Sequence, residues 1–193
     1  MTIVAREALL VMDLQNSVVG RFGDSPALLE TLGSAVKAAR ASGVPVIYVR
    51  VAFRDGTPEI SPSNRTFSAL AASGFGETDS STQIHPAVAP EPGDIIVTKR
   101  RVSAFSGSDL EVILRSLGVG SLTLTGIATS GVVLSTLRQA ADMDFRLTVL
   151  RDGCADRDPE VHQVLMDKVF PRQAEILSTA DWISRCGKGA GEA

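Results

Sequence analysis

The sequence predicts a three-layer α/β/α fold around a mostly parallel sheet of about six strands. Short, continuous apolar runs recur along the chain, each followed by a stretch with helical spacing. Runs that do not alternate apolar with polar residues belong to strands buried on both faces, which is the condition of a parallel sheet. Strands joined through helices pack side by side and run parallel. No internal repeat or linker divides the chain, so residues 1–186 are read as a single domain and 187–193 as a frayed tail.

The elements follow in order. Ala8–Met12 is an apolar run that ends at Asp13, the first strand. Asp24, Ser25 and Pro26 open a helix with proline in its first turn; apolar residues at helical spacing continue to Ala41, and Gly43 stops it. Val44–Val51 is the second strand. Residues 53–92 are rich in Ser, Gly, Pro and Thr and form a long excursion with short helical pieces, a type of segment that usually carries function. Ile95–Thr98 is the third strand. Ser108 and Glu111 are spaced as a capping box for a helix ending at Gly118. Leu122–Thr125 is the fourth strand, followed by a helix from Gly131 to Met143 and a fifth strand at Arg146–Leu150. Asp158 and Pro159 cap a helix reaching Val169. Glu175–Ser178 is the sixth strand, and Ala180–Ser184 a short helix.

Bulk properties narrow the function. Hydrophobic residues make up 44% of the 193, enough for a sizeable core. A net charge of -3 gives no surface-wide attraction to nucleic acid or anionic membrane. Cys154 and Cys186 are too few for a disulfide framework and fit a reducing cytoplasm. The first residues lack the basic and apolar regions of a secretory signal, and no apolar run reaches membrane-spanning length.

In open α/β sheets, ligands bind beyond the carboxyl ends of the strands. Asp13 follows the first strand, Lys99 the third, and the Gly126–Val132 turn the fourth. Alone, Asp13 reads equally well as an Asx turn or helix cap, and Lys99 as a solvated charge. Together they place a carboxylate, an ammonium and a helix start at one crevice.

Three segments carry a resemblance: Ala8-Leu-Leu-Val-Met-Asp-Leu-Gln-Asn16, Thr98-Lys-Arg-Arg-Val-Ser-Ala-Phe105 and Leu122-Thr-Leu-Thr-Gly-Ile-Ala-Thr-Ser-Gly-Val132. In combination they resemble the isochorismatase-like (cysteine hydrolase) superfamily, over roughly Ala8 to Ile183. The resemblance implies a Rossmann-like hydrolase domain that forms dimers or larger homo-oligomers. It implies that Asp13 is the general base or acid and that Lys99 positions it. It also implies a cis peptide between Ile127 and Ala128, with the Ala128 and Val132 amides forming an oxyanion hole. Asn16, Phe105 and Ser130 line the pocket in this reading. Val132 stands where most members carry the nucleophilic cysteine, and an isopropyl group cannot attack a carbonyl. True isochorismatases also lack that cysteine and hydrolyse a vinyl ether without a covalent step. Their Trp-Gly-Pro-Gly-like element is absent here, where the excursion reads Ala71-Ala-Ser-Gly-Phe-Gly-Glu-Thr78 and Trp182 is the only tryptophan.

The function this implies is hydrolysis of a small anionic metabolite by Asp13 and Lys99, with Arg100 and Arg101 helping to hold its charge. The alternative is an inactive relative that binds a metabolite or a protein partner. Ser130 reads more readily as an N-cap than as a replacement nucleophile, and Cys154, just past the fifth strand, as buried and inert. His85 and His162 lack ligand spacing and read as structural hydrogen-bonding residues, so neither a metal site nor a cofactor is expected. The partner is a small molecule.

Overall fold

The computed structural model describes residues 6–22, 25–71 and 74–189. β1 (Arg6–Met12), β2 (Val46–Val51), β3 (Ile95–Lys99), β4 (Val119–Ile127), β5 (Arg146–Ala155) and β6 (Glu175–Leu177) form one sheet in the order β3-β2-β1-β4-β5-β6. Every pairing between them is parallel. The helices are α1 (Asn16–Arg21), α2 (Pro26–Ala41), α3 (Arg65–Ala71), α4 (Leu110–Ser116), α5 (Leu134–Asp142), α6 (Pro159–Val164) and α7 (Thr179–Gly189).

β1 shows why its sequence is apolar throughout. Leu9 and Val11 point to one face, where they meet Leu32, Ala35 and Ala39 of α2 and Trp182 of α7. Ala8, Leu10 and Met12 point to the other, against Leu110 and Leu114 of α4 and Leu137 and Ala140 of α5. Side chains alternate along a strand, so a strand between two helical layers needs apolar residues at both parities. The three layers of the predicted fold are present.

β1 lies between β2 and β4, so successive connections leave it on opposite sides. This is the topological switch point of the sheet, where a crevice opens beyond the strand ends. Gly126, near the end of β4, has φ +135, and a Cβ there would lie 2.1 Å from the Met12 carbonyl oxygen. Only glycine lets the two strands approach this closely.

Several boundaries differ from expectation. β4 and β5 run longer than the apolar runs, because a strand can continue through residues such as Ser121 and Asp152 once its neighbours supply the ladder. Cys154 is therefore inside β5, not past it. The Ser108–Glu111 capping box is not formed: the Ser108 hydroxyl donates to Ala104 O at 2.6 Å, and Glu111 lies 3.8 Å from Arg115. Asp158 does cap α6, accepting from Glu160 N and Val161 N. Pro26 opens α2 as expected, while the Ser25 side chain caps nothing and Asp24 is outside the described residues. α7 continues to Gly189, through positions assigned to a frayed tail; 190–193 are outside the described residues.

The excursion holds short helical pieces at Arg65–Ala71, Ser80–Thr82 and Pro86–Val88. It builds a small core of its own from Phe53, Phe67 and Phe75 against Val51. Phe53 and Phe67 meet edge to face, centroids 5.8 Å apart. Among the described residues, no helix is long and apolar enough to cross a membrane.

Candidate active site

β1 ends at Met12, and Asp13 takes a left-handed conformation with φ 58. That conformation costs a non-glycine residue about 1 kcal/mol or more. It turns the chain off the sheet edge while the Asp13 amide still donates to Val49 O at 2.8 Å. Lys99 is the last residue of β3, and β2 stands between it and β1. Its side chain crosses the end of β2 to place Nζ 3.0 Å from Asp13 Oδ2. Nζ also donates to Arg101 O at 3.0 Å. The pair is buried: Asp13 is 8% exposed and Lys99 2%. Asp13 Oδ1 is screened from solvent and has no hydrogen-bond partner among the described residues. Burial pushes the Asp13 carboxyl above its ordinary value, and the Lys99 ammonium pulls back only part of that shift.

Beyond β4, the Ile127–Ala128 peptide is cis, as the resemblance implied. The backbone then forms a wide π-type turn, Thr129–Val133, before α5 begins at Leu134, later than the expected Gly131. The Ala128 carbonyl accepts from Gly131 N at 3.0 Å and Val133 N at 3.3 Å. Val132 is 2% exposed and packs in the core shared with Ala104 and Leu137. Ser130 is exposed and is not an N-cap; its amide donates to Asp156 Oδ2 at 2.7 Å. The Thr129 hydroxyl, fully buried, is 2.8 Å from His162 Nδ1.

Other expected residues take structural positions. The Asn16 side chain donates to Ser80 O at 2.8 Å, tying α1 to the excursion. Phe105 is a core residue whose ring packs on Phe145, just before β5, at the sheet edge opposite Asp13. Arg100 is not free to hold an acidic substrate, because Glu59 and Glu77 both pair with it. The Arg101 guanidinium donates to Arg100 O and Glu59 O and lies over the Phe67 ring. Cys154 is buried, and desolvation pushes its thiol up to about 12, which removes thiolate chemistry near neutral pH. His85 Nδ1 accepts from Ala87 N, the structural role expected of it.

Gln15 is the residue that sequence reasoning passed over. It is fully buried, and its amide group donates to Val51 O and Thr82 O at 2.8 Å and accepts from Val51 N at 2.9 Å. It thereby fastens the end of β1 to the end of β2 and to the excursion. A glutamine three residues past a buried strand was the available signal.

The comparisons with known proteins agree with this fold. The Isochorismatase domain family matches residues 7–181. The chain belongs to the isochorismatase family. It is 33% identical to an uncharacterised isochorismatase family protein, YecD, of Escherichia coli O157:H7, over 90% of this chain and 93% of that one. It is 31% identical to the ureidoacrylate amidohydrolase RutB of Enterobacter sp. (strain 638), over 81% of this chain and 78% of that one. The structure of an isochorismatase family protein from Burkholderia thailandensis superposes with a TM-score of 0.80 at 26% identity, covering 94% of this chain and 95% of that one. Isochorismatase family proteins are hydrolases, amidohydrolases among them.

Proposed function

We propose that this chain hydrolyses a small metabolite by acid–base chemistry at Asp13, without a covalent intermediate. The observation that carries the reading is the division of labour within one carboxylate. Oδ2 is held by Lys99, while Oδ1 is buried with no partner among the described residues. A buried acceptor left open costs free energy unless a ligand or water completes it.

Asp13 takes a proton from water as the water oxygen bonds to the substrate's electrophilic carbon. The carbon–heteroatom bond then breaks as Asp13 returns that proton to the departing atom, so the residue ends as it began. Its raised pKa makes the carboxylate a stronger base toward water than an ordinary one, which favours the first half of the cycle. Lys99 fixes the carboxylate and balances its charge. The Ala128 and Val132 amides are assigned to the developing oxyanion, a role that needs no side chain.

The amidohydrolase relative makes C–N bonds the first substrates to try, with a vinyl ether as the other class. Arg101, to which the described residues give no carboxylate partner, supports an anionic substrate. The test is turnover of small amides and of isochorismate by wild type, Asp13→Asn and Val132→Cys. Wild-type turnover lost in Asp13→Asn supports the reading; turnover unchanged in Asp13→Asn overturns it. Val132 favours a second reading, a binding protein that has lost its nucleophile. Amide hydrolysis that appears only in Val132→Cys would select it.

A further inference from the structure

The turn assigned to the oxyanion is not held by a regular helical ladder. Gly131 has φ -98 and ψ -105, outside helical values, and the ordinary helix starts only at Leu134. Two side chains from beyond β5 reach across to it. His162 of α6 meets the Thr129 hydroxyl at 2.8 Å. Asp156, in the loop before α6, accepts from the Ser130 amide at 2.7 Å. Thr129 and Ser130 directly follow Ala128 and precede Val132, so one contact holds a side chain and the other a backbone amide between the two assigned amides.

We propose that His162 and Asp156 are positioning residues for the turn: His162 accepts the Thr129 hydroxyl proton and Asp156 holds the Ser130 amide, together aiming the Ala128 and Val132 N–H groups. The proposal deepens the hydrolase reading and rests on it for the role of those amides. His162 touches no reacting atom; it acts through Thr129. The half-exposed ring makes this bond conditional on charge. A neutral imidazole with its proton on Nε2 accepts at Nδ1, whereas an imidazolium only donates, which reverses the Thr129 bond and turns the hydroxyl proton elsewhere. The charged groups around the ring are Arg151 of β5, Asp156, and Asp167 in the turn after α6, the last paired with Arg151 at 2.6 Å. Burial and Arg151 together hold the imidazole below its ordinary value, so the ring is neutral near pH 7.

The test reads the turn without substrate. Backbone amide resonances of Ser130, Gly131 and Val132 are followed by NMR, with the His162 ring signals, from about pH 5 to pH 8. In wild type the amides should move with the His162 midpoint. In Thr129→Val the ring should still titrate while the amides stop following it, and Thr129→Ser should restore the coupling. In His162→Gln, a second variant on the more exposed partner, the amide titration should vanish. Amides that ignore His162 in wild type, or follow it unchanged in Thr129→Val, overturn the proposal, as does an amide titration that persists in His162→Gln. With a substrate in hand, Thr129→Val should lower kcat about 10–100-fold with KM unchanged, the mark of misaimed groups. A purely structural role would instead lower the thermal midpoint and leave the per-molecule kcat alone. Because the NMR arm needs no turnover, this proposal and the Asp13 reading fail separately.

Discussion

The two acids at the ends of β1 have opposite surroundings. At the amino end, one oxygen of Glu7 accepts from Trp182 Nε1 at 2.8 Å and from the Thr123 hydroxyl. It pins α7 and β4 to β1 through neutral donors. At the carboxyl end, Asp13 is almost fully buried, carries a buried ammonium on one oxygen and leaves the other unpartnered among the described residues. The first arrangement spends one oxygen on two protein donors at a part-exposed position, as structural polar groups do. The second keeps a strong acceptor open in a place that costs energy, as functional groups do. One strand thus holds an acid that builds the fold and an acid that the fold has to support.

Substitutions sharpen this contrast, and the largest effect is expected at Asp13. Asp13→Asn should lower turnover by about 10²–10⁴-fold, the range for a lost proton-transfer group, while the far-UV spectrum stays unchanged. Lys99→Met strips the carboxylate of its counter-charge and should cost about 3–5 kcal/mol in denaturant unfolding. Trp182→Phe removes one hydrogen bond to Glu7 and should cost about 1–3 kcal/mol with turnover intact. A large loss of turnover in Trp182→Phe would erase the distinction between the two ends.

The pH dependence discriminates more finely. A raised Asp13 pKa means that its base form appears only as pH rises through that value. The acid limb of kcat should therefore lie above the ordinary 3.8 and disappear in Asp13→Asn. Stability has the matching sign. The folded state binds the Asp13 proton more tightly than the unfolded chain does, so the residue's contribution is full below 3.8 and declines as pH rises through the raised value. Wild type measured against Asp13→Asn should lose ground over that interval in urea titrations.

The sheet was legible because buried parallel strands write themselves as apolar runs, and Ala8–Met12 is such a run with a different core on each face. Asp13 and Lys99 were legible because each closes or follows a strand at the edge where crevices form. What the sequence hid depends on contacts between distant residues. Arg100 looked like a free cation beside Lys99, yet its partners Glu59 and Glu77 come from the excursion. The Thr129–His162 contact spans 33 positions, and no local spacing announces it. Phe105 sits near the motif lysine in sequence, but its ring packs against Phe145 at the opposite sheet edge, which only the loop path from β3 to α4 determines. Ser108 does not form the capping box: its hydroxyl donates to the Ala104 carbonyl and accepts from the Leu110 amide, contacts set by the path of the loop before α4.

Gly126 has a consequence for how this scaffold can diverge. Any side chain there would collide with the Met12 carbonyl, so the spacing between the strand that ends at Asp13 and the strand that feeds the turn has no adjustable part at that point. New substrates of different size must therefore be accommodated by rewriting the excursion, whose insertions leave the sheet untouched. Variety among descendants of this chain is therefore expected to concentrate between β2 and β3.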